Sequence, residues 1–138
     1  MTFRLAGLIA GFGLVVATAP LVAHHSFAAE YDANKPITLK GAVTRIEWTN
    51  PHARFYVDVQ DEKGAVTNWN LELASPNVLT RNGWTRKSLN VGDKVTVEGS
   101  LAKDGSKMAN ARAVTLASGK RIFAGSSGGD GGTTTTNP

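Results

Sequence analysis

Between Lys35 and Phe123 apolar residues recur at every second position, the period of a half-buried β-strand. In ITLKGAVTRIEW, Ile37, Leu39, Gly41 and Val43 share one face, after which the phase slips and Ile46 and Trp48 take the apolar positions. A period-2 pattern displaced by one residue predicts a bulge near Thr44–Arg45, and Gly41 lets a long first strand bend. In RFYVDVQ, Phe55, Val57 and Val59 alternate with Tyr56, Asp58 and Gln60, and DEKG reads as a hairpin turn. WNLEL turns Trp69, Leu71 and Leu73 inward, and KVTVEGSL does the same with Val95, Val97, Gly99 and Leu101. AKDGSK is a further turn, followed by MANARAVTL and KRIF with Ser118–Gly119 turning between them.

One segment breaks the period. SPNVLTRNGW has Ser75 at an N-cap position, Pro76 at the first helical position and Gly83 just past the end, which are helix start and stop signals. Val78 and Leu79 give this helix an apolar side, and Trp84 is placed to plug one end of a barrel. The order is a long bent strand, two strands, a short helix and two more strands. Closing the sheet removes its edges. The expected fold is therefore all-β, a five-stranded OB-fold-like Greek-key barrel with one short helix between strands 3 and 4. A small open sandwich is the competing arrangement.

The flanks differ in character. Residues 1–23 have the form of a secretory signal peptide, with Arg4 ahead of an apolar run from Leu5 to Val16 and small residues up to Ala23. That run is short for a bilayer span. Cleavage after Ala23 starts the mature chain at His24, in the periplasm. An uncleaved anchor is the competing reading. Residues 24–36 form an N-terminal segment, residues 37–123 the barrel, and residues 124–138 a Gly/Ser/Thr-rich tail expected to be disordered. With no cysteine, the domain relies on its core rather than on disulfides and has no thiol for catalysis. The formal charge of +4 is mildly basic, and Lys and Arg are scattered along the sequence. Nucleic-acid binding usually shows a clustered basic face, so nucleic acid is not an expected partner. No membrane span is expected after cleavage, and the expected partner is a periplasmic protein or a small ligand.

The chain has three histidines: His24 and His25 at the expected mature terminus, and His52 in WTNPH. OB-folds meet ligands on the face of strands 2 and 3 and at the loops joining strands 1–2 and 4–5. TNPH is the first of those loops. A terminal His24 offers its amine and ring nitrogen together, and His25 or His52 would complete an all-nitrogen site suited to Cu(II). The plainer reading is a solvated terminus, with His52 bonded across its own turn. Phe27 and Tyr31, four residues apart, are apolar anchors that would dock the N-terminal segment on the barrel and bring His24 and His25 toward the loop. Trp48, Asn50, Arg54 and Tyr56 surround the same loop and are candidate ligand-binding residues. Core packing is the better account of Trp48 and Trp69, while Tyr56 lies on the outward phase. The acids Glu30, Asp32, Glu47 and Glu72 form no recognisable catalytic pair. Nucleophile elbow, phosphate loop and dinucleotide fingerprint are all absent, so no catalytic residue is assigned.

HHSFAAEYD, LKGAVTRIEWTNPHARFYVDV and SPNVLTRNGWTRKSLNVGDKVTVEG together resemble a family of small exported bacterial proteins of unknown function. VGDKVTVEGSLAKDGSKMANARAVTL is similar to the fourth and fifth strands of exported bacterial OB-fold proteins. The resemblance covers nearly all of the mature chain and implies export and a small β-barrel. It also sets His24, His25, Trp48, Asn50, Pro51 and His52 inside the family's motifs. The reading is a periplasmic, non-enzymatic binding protein that holds a transition metal, copper first, through His24, His25 and His52. The other reading is a protein-interaction, small-ligand or oligosaccharide module without metal.

Overall fold

The computed structural model describes residues 27–125. The signal-peptide reading, His24, His25 and the tail beyond Gly125 lie outside the described residues. A short helical turn, α1 (Phe27–Glu30), leads into a 17-residue strand, β1 (Tyr31–Glu47). β2 (Arg54–Gln60) and β3 (Val66–Glu72) follow, then helix α2 (Pro76–Arg81), β4 (Lys94–Ala102), β5 (Met108–Leu116) and a short β6 (Arg121–Phe123).

The strand pairings close on themselves. β1 pairs antiparallel with both β2 and β4, β2 with β3, and β4 with β5. β3 and β5 then join in parallel through Asn70↔Met108, Leu71↔Ala109 and Glu72↔Asn110. Closure in the order 1-2-3-5-4 around one core, with a helix after the third strand, is the all-β, OB-like arrangement that the sequence predicts. β6 adds a sixth strand at the edge of β5.

One strand serves both β2 and β4 because β1 changes direction along its length. The register slips between Val43 and Arg45, where the shift in apolar phase places a bulge. At Gly41 a Cβ would come within 2.2 Å of the Asp58 carbonyl oxygen, so β1 and β2 approach as closely as they do only because that side chain is absent. The predicted inward faces are the core: Leu39, Val43, Phe55, Val57, Leu71 and Val97 are buried together. Ser75 caps α2 by accepting from the Val78 backbone N–H at 3.4 Å, and Gly83 ends it at φ +88°. Trp84 is buried and its Nε1 donates to the Phe123 carbonyl at 2.7 Å, which ties the chain after α2 to β6.

Two boundaries differ from expectation. β1 begins at Tyr31, six residues ahead of Ile37, and Tyr31 already pairs with Ala102 of β4 before a register shift leads to Pro36↔Ser100. At the other end Ala124 is fully buried. Its N–H donates to the Arg112 carbonyl and its own carbonyl accepts from Ala74 N–H. A chain of Gly and Ser that follows a strand carries no apolar periodicity, so the sequence pattern cannot show that its first residue completes the ladder.

Candidate functional site

Period 2 puts Phe55, Val57, Trp69 and Leu71 in the core and their alternates on the outer face. That outer face carries the cross-strand pairs Arg54↔Glu72, Tyr56↔Asn70 and Asp58↔Asn68. Polar residues at such positions usually meet water. Glu72 does not: it is 4% exposed. Three elements cover it. β5 places Asn110 beside it through the parallel pairing. The β1–β2 loop brings His52 over it, and the start of β1 lays Tyr31 across it.

Each oxygen of the Glu72 carboxylate has two partners. Oε1 meets His52 Nδ1 at 2.8 Å and accepts from Asn110 Nδ2 at 3.4 Å. Oε2 accepts from Arg54 Nη2 at 2.6 Å and from the Tyr31 hydroxyl at 3.1 Å. Arg54 Nη1 continues the network to Asn70 Oδ1 at 3.3 Å. A buried charge is costly unless it is paired and hydrogen-bonded, and here an arginine and three further donors meet that condition. Burial, reinforced by the neighbouring Glu72 charge and the hydrogen bond to it, holds the Tyr31 phenol well above the ordinary tyrosine value.

The N-terminal segment is held where an OB-fold usually meets its ligand. Phe27 stacks obliquely on Tyr31 with ring centroids 5.8 Å apart. Lys103, in the β4–β5 loop, donates its backbone N–H to the Glu30 carbonyl and its Nζ to the Ala28 carbonyl. The β2–β3 face, the β1–β2 loop and the β4–β5 loop therefore converge on this one stretch of chain.

Of the residues singled out from sequence, His52 and Arg54 are brought together, joined by their common partner Glu72. His52 is half-buried, its side chain 34% exposed. Its partner is the Glu72 carboxylate 20 residues away rather than its own turn. Trp48 is half-buried against the core, and Asn50 is exposed and precedes a cis bond to Pro51. Tyr56 stands apart from the cluster: its ring lies under the Arg45 guanidinium at 3.9 Å, and its hydroxyl donates to Glu47 at 3.4 Å. Arg45 also pairs with Glu47 at 3.0 Å.

Three members of the network are absent from the sequence reading of the site. Glu72 and Asn110 sit on outward phases, and Tyr31 figures there only as an apolar anchor. The available signal is Glu72 itself, an acid set between Leu71 and Leu73 and followed by Ala74, all of which are buried. Among the described residues no three of His, Cys, Asp and Glu are grouped so as to hold a metal ion. His52 is the one histidine of that range, so it supplies one nitrogen and further ligands would come from elsewhere in the chain.

The closed pairing and the helix after β3 define an OB-like domain. Residues 12–111 match the model of a family of unknown function, DUF6152, and the chain belongs to that family. No curated protein matches it by sequence. Among solved structures it is similar to the mitochondrial single-stranded DNA-binding protein Rim1 of S. cerevisiae. The identity is 12% and the TM-score 0.48, over 60% of this chain and 93% of that one. It is also similar to the dimeric N-terminal domain of PriB from Thermoanaerobacter tencongensis, at 20% identity and TM-score 0.41, over 60% and 96%. The exclusion of nucleic acid as a partner is corrected here, since the yeast protein of similar fold is a single-stranded DNA-binding protein. The exclusion rests on lysines and arginines scattered in sequence, and a sheet gathers what the sequence scatters. Lys40 of β1 and Lys94 of β4, far apart in sequence, line one groove of about 700 Å³ together with Asp58 of β2. Among the described residues no helix is long and apolar enough to cross a membrane.

Proposed function

We propose that this protein is exported and binds a transition-metal ion, Cu(II) foremost, through Nε2 of His52 and the histidines His24 and His25 at its processed amino terminus. The observation that carries the reading is the contact between His52 Nδ1 and the buried Glu72 carboxylate. It occupies one ring nitrogen and leaves the other for a ligand. Metal-binding histidines commonly engage a carboxylate through their second nitrogen in this way.

The second support is reach. His25 and His24 precede Phe27 by two and three residues, and a chain spans at most about 3.6 Å per residue, so both lie within about 11 Å of Phe27 along the backbone. Phe27 packs on Tyr31, and Tyr31 shares Glu72 with His52. The anchor and the loop histidine are thus tied to one carboxylate. Imidazole and amine nitrogens suit Cu(II), which heads the affinity order of the divalent first-row ions.

The test uses exported protein whose first residue, read by N-terminal sequencing, is His24. Cu(II) titration followed by calorimetry and electron paramagnetic resonance should show nitrogen ligation. His52→Ala and deletion of His24–His25 should each weaken binding more than tenfold. The two changes together should be less than additive, since each destroys one shared site. Unchanged affinity in His52→Ala would show a metal held by the free terminus alone and would end this reading.

A further inference from the structure

We infer that Glu72 is the positioning residue of this site and not one of its ligands, and that it restricts the site to metals that take imidazole nitrogen. The inference rests on the reading that His52 binds metal, and it adds which atoms are offered and which are withheld.

Glu72 is withheld because it is saturated. A carboxylate has about four lone-pair sites. His52 and Asn110 use those of Oε1, and Tyr31 and Arg54 those of Oε2. A metal could reach either oxygen only by displacing one of these four donors, in a site where Glu72 is 4% exposed. Arg54 also neutralises the carboxylate at 2.6 Å, so the cluster presents no net negative charge to an incoming cation. The Glu72 carboxylate thus offers no free oxygen to Ca²⁺ or Mg²⁺, which need oxygen ligands.

What is offered is His52 Nε2. An ionised carboxylate only accepts, so the ring nitrogen facing it must donate, and the neutral imidazole then carries its lone pair on Nε2. Cu(II), Ni(II) and Zn(II) take such a nitrogen. The rigidity of the arrangement comes from Arg54, which sits opposite Glu72 in the β2–β3 register and clamps the carboxylate that clamps the ring.

The experiment has two readouts on the full exported chain. Long-range ¹H–¹⁵N correlation of metal-free, histidine-labelled protein at pH 8 reports the tautomer of His52, whose signals are identified by their loss in His52→Ala. The Nδ1–H form is expected, and the Nε2–H form would overturn the inference. Cu(II) affinity is then compared between wild type and Glu72→Gln, with folding checked by the backbone correlation spectrum. A loss of 10–100-fold is expected, and a millimolar excess of Mg²⁺ or Ca²⁺ should not compete. Cu(II) binding through His52 that survives Glu72→Gln unchanged overturns this inference alone. Cu(II) binding that does not involve His52 overturns the proposed function and this inference with it. Should Glu72→Gln not fold, the wild-type tautomer decides.

Discussion

Tyr31 and His52 meet on opposite oxygens of one buried carboxylate, at 3.1 and 2.8 Å from Glu72 Oε2 and Oε1. The two residues come from different ends of β1: Tyr31 opens the strand, and His52 lies in the loop that follows it. Glu72 therefore does for the N-terminal segment what a ladder hydrogen bond does for a strand. It gives an otherwise weakly paired stretch a fixed place on the barrel.

Removing one donor should show how much depends on that arrangement. Tyr31→Phe keeps the ring that packs on Phe27 and deletes only the hydroxyl. Hydrogen bonds to charged groups contribute about 1.5–3 kcal/mol, and a loss in that range is expected in urea unfolding. Hydrogen exchange should quicken at the Tyr31–Ala102 pairing, while β2 and β3 keep their protection. A Tyr31→Phe protein as stable as wild type would show that the hydroxyl bond contributes nothing net.

The same residue predicts a pH dependence. Burial first, then the Glu72 charge and the hydrogen bond to it, hold the Tyr31 phenol well above its ordinary value. Above pH 10 or so the unfolded chain releases that proton while the folded chain keeps it. The unfolded state then binds fewer protons, and stability falls as pH rises. The contribution is complete below about pH 10 and is lost above it, at up to about 1.4 kcal/mol per pH unit. Urea midpoints of wild type and Tyr31→Phe should draw together between pH 9 and pH 11. The two proteins share every other ionisable group, so only the difference between the two curves bears on Tyr31.

The barrel was legible in the sequence for a specific reason. Period 2 reports which face of a strand meets the core, and Leu39, Val43, Phe55, Val57, Leu71 and Val97 all occupy the faces it assigns. The slip after Val43 was legible because a bulge displaces that period by one residue. The centre of the candidate site was not. Glu72 lies on the outer phase, where alternation says only that a residue faces away from the core. Its burial is decided by chain segments from elsewhere: the start of β1, the β1–β2 loop and the parallel partner β5. No local pattern encodes a neighbour brought in by a contact of |i−j| = 41, the separation of Tyr31 from Glu72. His52 drew notice as one of three histidines, but nothing in WTNPH names the carboxylate that holds it.

Strand phase itself is open to a direct test. Leu71 is fully buried and lies opposite Phe55 on the core side of the β2–β3 pair. Leu71→Ala should cost about 2–5 kcal/mol, as buried leucines do. Gln60 is exposed at the end of β2, so Gln60→Ala should change stability by no more than about 0.5 kcal/mol. Chemical denaturation of the two variants measures both. Equal, small effects would mean that Leu71 is not in the core.

The last prediction separates two kinds of glycine. At Gly99 the β4–β5 register shifts, and an added Cβ would lie 2.1 Å from the Asn110 carbonyl oxygen and 3.0 Å from its carbon. Both atoms are backbone and have no rotamer to move into. Gly99→Ala must therefore push the two strands apart at that point, and a cost of about 3 kcal/mol or more is expected, the upper part of the range for overpacking. At Gly83 the situation is reversed: φ is +88°, yet no atom stands within 4 Å of the added Cβ. Gly83→Ala meets only the backbone penalty for a left-handed residue, about 1–2 kcal/mol. The two variants also differ in what they do to the candidate site. Asn110 donates to Glu72 Oε1, so displacing its backbone should move the His52 signals in the Gly99→Ala spectrum. Gly83 belongs to the turn after α2, and its replacement should leave those signals in place. If Gly99→Ala is the milder change and His52 does not respond to it, β4 does not approach Asn110 this closely, and β5 does not couple the barrel wall to Glu72.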